Sequence, residues 1–313
     1  MNRRDMIRTT GAAVAALGAS SIPLGWTRAD DKPKRKLLFY THSVSFEHPC
    51  IRVGKNGEPS HADKIVKALG EMHGFEVTSS KDGRVFLPET IKQYDAFLFE
   101  TQGDLTKTGL DGQPPMAPEG KKALLEAIAA GKGFAGCHCA SDTFHSPAYN
   151  TGKRWVNDEP EKMDPYIAMV GGEFGGHGEQ TTAWMRVMDK KFPGIGEGKD
   201  FQLKEEWYSL KNFAPDLHVI LVQETEGMKN SKGTTDFDYQ RPKYPATWAR
   251  KHSQGRVFYT SMGHREDVWS SEIFQNLLLG GLSWVFGNAE ADVTPNLKDA
   301  APEAASLPMP KKK

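Results

Sequence analysis

The stretch Gly133-Phe134-Ala135-Gly136-Cys137-His138-Cys139-Ala140-Ser141-Asp142-Thr143-Phe144 decides the fold. A glycine-bounded apolar run passes into small residues and then a polar turn. That is the pattern of a strand that bends sharply and presents one side chain at the carboxyl edge of a sheet. His138 stands at the elbow with a thiol on either side. In open α/β sheets ligands bind at that edge, so the elbow residue is the first candidate for chemistry.

Working outward, the same alternation of strand and helix recurs. Lys36 to Thr41 reads as a buried strand entering a loop with His42 and His48. Ser60 to Asp63 has capping-box form and opens a helix to about Glu71, with Gly74 as its stop. Phe75 to Thr78 and Tyr94 to Phe99 are further strands; the second is almost unbroken apolar sequence, as in parallel strands covered on both faces. Pro118 and Gly131 bracket the helix before the elbow strand. Downstream, Trp184 to Met188, His218 to Gln223, Ala246 to Arg250 and Arg256 to Ser261 are strand-like, and Ser271 to Phe286 forms a closing amphipathic helix. The polar segment from Ser146 to Pro165 breaks the rhythm and reads as a loop or lid. The expected fold is α/β, an open parallel sheet with helices on both faces and right-handed crossovers.

Composition narrows the function classes. Forty basic and forty acidic residues cancel over 313 positions, so nothing attracts nucleic acid. Gly171, Gly172, Gly175 and Gly176 precede His177 without P-loop spacing or a following lysine, so no nucleotide cofactor is expected and the segment reads as a flexible loop. Cys50, Cys137 and Cys139 make no disulfide framework; Cys137 and Cys139 are expected to point apart and stay unpaired.

The two ends differ from the middle. Arg3 and Arg4 precede a short, weakly apolar run from Thr9 to Leu24. Residues 1–34 are expected to be a twin-arginine export signal with its linker, cleaved near Ala29 or retained as an anchor. The expected location is periplasmic or extracellular, with no membrane span in the mature chain. Residues 35–288 form the expected domain, and 289–313, rich in Ala, Pro and Lys, a disordered polar tail.

Six blocks in order carry a resemblance. Glu47-His48-Pro49, Gly133 to Phe144, Tyr166 to Phe174 with His177, Glu206-Trp207-Tyr208, Pro245 to Trp248, and Gly255 to His264 resemble the motifs of ThuA-like (trehalose-utilisation) proteins. The resemblance covers about Leu37 to Phe286. It implies a flavodoxin-like fold related to class I glutamine amidotransferases and a small-molecule carbohydrate as partner. Two positions depart from the pattern: Glu205-Glu206 replaces an Asp-Glu pair, and Phe192-Pro193 replaces His-Pro, so residue 192 is not expected to serve the site.

The family blocks centre on the candidate site residues. His138, Glu206 and His264 are the candidate catalytic groups; His48, Asp142, His145, Tyr208 and Trp248 are candidates for substrate binding, with Tyr208 ranked above the tryptophans. His138, His177 and His264 are the candidate ligands of a divalent metal, Zn or Mn. The same groups also suit proton transfer on a sugar or keto-sugar, since histidine titrates near neutral pH. Two other readings stay open: a carbohydrate-binding protein without catalysis, and a cysteine hydrolase or amidotransferase using Cys139, one position beyond the elbow.

Overall fold

The computed structural model describes residues 33–309. The expected export signal falls almost wholly outside that range. Strand β1 (Arg35–Tyr40) is buried from Leu37 onward on both faces, Leu37 and Phe39 entering one core and Leu38 and Tyr40 the other. That alternation into two apolar layers is what a central strand needs. Helix α1 (His61–His73) starts on a complete capping box: Asp63 N–H donates to Ser60 Oγ, and the Asp63 carboxylate accepts from Ser60 N–H. It runs to His73, two residues past the expected Glu71, and stops at Gly74 as expected, where φ is +76°. Strand β2 (Phe75–Ser80), strand β3 (Ala96–Phe99), helix α2 (Pro118–Ala129, Pro at its start) and strand β4 (Gly133–Cys137) follow.

Nine strands form one sheet in the order β2-β1-β3-β4-β11-β10-β9-β6-β7. The remaining members are β6 (Thr181–Val187), β7 (Phe201–Glu205), β9 (His218–Glu224), β10 (Tyr244–His252) and β11 (Gly255–Thr260). The first five in spatial order run parallel, as expected. The last four join antiparallel, so the sheet is mixed. Loop length sets the first of these pairings. Only Ser253 and Gln254 separate β10 from β11, and a two-residue turn joins only antiparallel neighbours, whereas a parallel pair needs a crossover of a dozen residues or more.

Helices cover both faces. Helix α1 and helix α4 (Glu272–Val285) pack Val66, Leu69, Phe274 and Leu278 on one side. Helix α2 and helix α3 (Pro165–Val170) pack Leu124, Ile128, Tyr166 and Ile167 on the other. Two expectations fail here. The glycine-rich segment is not a loop: β5 (Glu173–His177) pairs with β8 (Tyr208–Lys211) in a separate two-stranded ribbon that sets His177 opposite Tyr208. Nor is the tail disordered over 289–309. Ala300, Ala301 and Ala304 enter the second core, Asn296 pairs with the β9 backbone, and Arg241 donates to the Ala304 carbonyl. The buried alanines and the bonds of Asn296 and Arg241 thus hold a segment that reads as polar against the fold. Among the described residues no helix is long and apolar enough to cross a membrane.

Candidate functional site

Because β1, β4 and β11 are parallel, their carboxyl ends lie on one edge. The loops leaving them bring His48, His138 and His264 together, and Glu206 joins them from the end of β7. One donor atom from each of the four lies within 4.8 Å of the others. Glu206 is the hub. Its Oε2 is 3.1 Å from His264 Nδ1 and 3.5 Å from His138 Nε2. The His48 ring stands edge-on to both His138 and His264 at 4.9 Å.

Each member is held from behind. His138 sits at φ +38°, the strained elbow read from the sequence. Its Nδ1 donates to the Ser261 carbonyl at 3.1 Å, which leaves Nε2 facing Glu206. The buried Glu205 carboxylate accepts from the N–H groups of Gly263 and His264 through Oε2 and from Glu206 N–H through Oε1. One side chain thereby fixes the Glu206 and His264 backbones relative to each other. Gly263, at φ +130°, lets that loop pass with no side chain against His138.

The electrostatics favour a neutral imidazole and an ionised carboxylate. Burial, reinforced by His138 and His264, holds His48 well below the ordinary histidine range. Burial pushes Glu206 up, but His138 and His264 more than offset it and leave the carboxyl well below its usual range. Metal ligands need these protonation states.

His48 Nδ1, His138 Nε2 and His264 Nδ1 are buried and form no hydrogen bond. Each such atom costs about 1–3 kcal/mol if left alone. Tetrahedral coordination with bonds of ~2.0–2.1 Å sets neighbouring ligand atoms about 3.3 Å apart, close to the spacings around Glu206 Oε2. The donor set therefore fits a divalent cation. One adjustment accompanies it. His264 Nε2 faces the Gln180 amide nitrogen at 2.9 Å, which assigns the ring proton to Nδ1; coordination at Nδ1 needs the amide turned so that its oxygen accepts from Nε2, which withdraws that oxygen from the Arg265 guanidinium.

Above the cluster opens a cavity of about 490 Å³ with His48, Glu206, Tyr208, Phe174, Trp155 and Asp142 among its lining residues. Trp155 comes from the segment read as a lid and packs on the β5 ribbon, where a Cβ at Gly176 would stand 2.9 Å from its ring. Asp142 also lines the cavity and is held by Gln102 at 2.9 Å. Tyr208 packs 3.9 Å from the His138 ring, centroid to centroid.

Not every candidate lands where the sequence suggested. His138 is fully covered, so it serves the floor through Glu206 rather than the cavity surface. His177, a candidate ligand, stays at the rim of the cavity; its side chain is 42% exposed, its Nδ1 contacts the Gly178 carbonyl, and the same nitrogen is 3.7 Å from Glu206 Oε1. His48 and Glu206 occupy the cluster instead. His145 lines a neighbouring cavity, bridging Asp142 at 2.8 Å and Glu173 at 3.1 Å. Trp248 is in the core: fully buried, it donates to the Val170 carbonyl because its strand faces α3. Trp207 is likewise buried. Cys139 does not reach the cavity; its thiol donates to Glu100 at 3.3 Å, and burial raises it well above the ordinary thiol range. Cys137 and Cys139 do point apart, into the two cores. In a continued strand residues two apart share a face; the turn at His138 separates them. Phe192 packs on Phe258 in the core, consistent with residue 192 playing no part in the site. Sequence reading missed Glu205, Glu100 and Gln102. Glu100 carried a signal, an acid closing the apolar run Ala96 to Phe99.

The family model described as ThuA, trehalose utilisation, matches residues 51–285. The chain belongs to the ThuA family. Two ThuA-like structures agree in fold. The protein from Bacteroides uniformis ATCC 8492 superposes with a TM-score of 0.55 at 15% identity, over 88% of this chain and 95% of that one. The protein from Parabacteroides merdae ATCC 43184 gives 0.53 at 16%, over 86% and 97%. No curated protein matches in sequence. The ThuA fold here is thus the α/β, class I glutamine amidotransferase-like architecture expected, with a histidine at its elbow.

Proposed function

We propose that this ThuA chain is an exported protein of carbohydrate metabolism that acts on a sugar, disaccharide or keto-sugar at a His48–His138–Glu206–His264 centre holding a divalent metal. The observation that carries the reading is the convergence of those four donors, three with buried unpartnered nitrogens, under a cavity of about 490 Å³. A cavity of that size suits a small polar molecule. Tyr208 and Phe174 offer ring faces for a sugar, and Asp142 offers a carboxylate for hydroxyl groups.

The metal, when bound, supplies Lewis acidity toward a carbonyl or hydroxyl oxygen. The chain's own groups supply the rest. Glu205 holds Glu206 and His264 in register, Ser261 orients the His138 ring, and Trp155 lines one wall of the cavity. Cysteine chemistry fits poorly, because Cys139 is buried beneath the floor.

The test combines metal analysis of the purified protein with a screen of disaccharides and keto-sugars for binding and turnover, run on wild type and Glu206→Gln. Metal-dependent binding or turnover lost in the variant supports the reading; sugar binding that is indifferent to both metal and Glu206 refutes it. Binding without turnover would select the non-catalytic alternative.

A further inference from the structure

Next to the His/Glu centre lies a second donor set that shares only His48 with it. His48, Glu100 and Cys139 are all buried, and one donor atom from each lies within 4.8 Å of the others. Glu100 follows β3, and Cys139 follows His138 in the elbow turn, so adjacent parallel strands deliver both to the same edge. The Cys139 thiol donates to Glu100 Oε1 at 3.3 Å, while Glu100 Oε2 is buried with no partner. Neither Lys nor Arg forms an ion pair with Glu100 among the described residues. A carboxyl so placed is costly in an apolar core unless something compensates it.

We propose that His48, Glu100 and Cys139 bind a second, thiophilic divalent ion beside the first, with His48 bridging the two ions as an imidazolate, one ring nitrogen on each. Loading both ions releases three protons, from the Cys139 thiol, the Glu100 carboxyl and the His48 ring. The four positive charges then meet one thiolate, the Glu100 and Glu206 carboxylates and one imidazolate, so the pair of sites is neutral overall, which a solvent-free region tolerates. A thiolate with an imidazole selects Zn2+ or Co2+ over Mg2+ or Mn2+. The proposal rests on the metal reading of the His/Glu centre.

Cobalt titration of chelator-treated, folded protein tests it. Wild type should take up two equivalents of Co2+, one accompanied by thiolate-to-cobalt charge-transfer absorption in the near ultraviolet. Cys139→Ala and Glu100→Gln should each drop uptake to one equivalent and lose that absorption. His138→Ala should weaken the other ion and keep the absorption. The isosteric Glu100→Gln guards against a folding failure in Cys139→Ala, and the wild-type spectrum needs no variant. One equivalent without thiolate absorption overturns the second site and leaves the first standing. Two equivalents persisting in Cys139→Ala overturn it as well. No uptake by wild type refutes the metal reading of both sets.

Discussion

His264 Nδ1 stands 3.1 Å from Glu206 Oε2, yet the two atoms are not aligned as a hydrogen bond. The two atoms are close neighbours without being hydrogen-bonded to each other. His138 Nε2, 3.5 Å from the same oxygen, shares this relationship. Ligands around an ion are arranged in this way.

Removing His138 should therefore cost function more than stability. His138→Ala loses one hydrogen bond to Ser261, worth about 1 kcal/mol, and should lower the melting temperature by a few degrees while abolishing metal and ligand binding. His61→Ala is the control. His61 contacts the Glu266 carbonyl and Ser270, so its removal should cost a similar amount and leave binding intact. Parallel melts and titrations check both; a His138→Ala protein that unfolds but binds normally in its folded fraction would contradict the site.

Glu205→Gln tests the strut behind the centre. A glutamine turns an NH2 toward one of the backbone N–H groups that the carboxylate now accepts. Metal affinity should fall about 10–100-fold, the usual cost of losing a partner that orients ligands. Isothermal titration reads this directly, and unchanged affinity would show that the Gly263 loop holds itself.

His145 gives a pH signature. Burial opposes its charge, but the Asp142 and Glu173 carboxylates more than offset that and raise it above the ordinary range. Its stabilising contribution is fully present below the unfolded value of about 6.5 and is lost as pH climbs through the raised folded value. The melting-temperature gap between wild type and His145→Gln should thus be widest in mild acid and close toward alkaline pH. A gap that widens with pH would reverse the assignment.

The C-terminal segment should matter for stability. Truncation after Asn288 uncovers the core face under Ala300, Ala301 and Ala304 and takes the Ala304 carbonyl from the buried Arg241 guanidinium. Urea unfolding should show a loss of about 2–4 kcal/mol. An unchanged midpoint would mean that the segment rests on the fold without supporting it.

Export is tested at the other end. A reporter fused to residues 1–34 should reach the periplasm, and changing Arg3 and Arg4 to Lys should retain it in the cytoplasm. Retention of the unaltered fusion removes export from the proposal.

Local chemistry determined much of this protein. The capping box at Ser60, the apolar runs of β1 and β3, the elbow at His138 and the placement of His48 and His264 after strands are read directly, because caps and two-residue periodicity act over a few residues. The tertiary structure alone decided which atoms meet. Glu206, which follows β7, meets His138 through the strand order of the mixed sheet. Trp248 is core rather than site because α3 covers its strand, and residues 289–309 pack because Ala300, Ala301 and Ala304 join the second core. Such outcomes depend on the order in which strands pair across the whole sheet, and no short stretch of sequence contains that order.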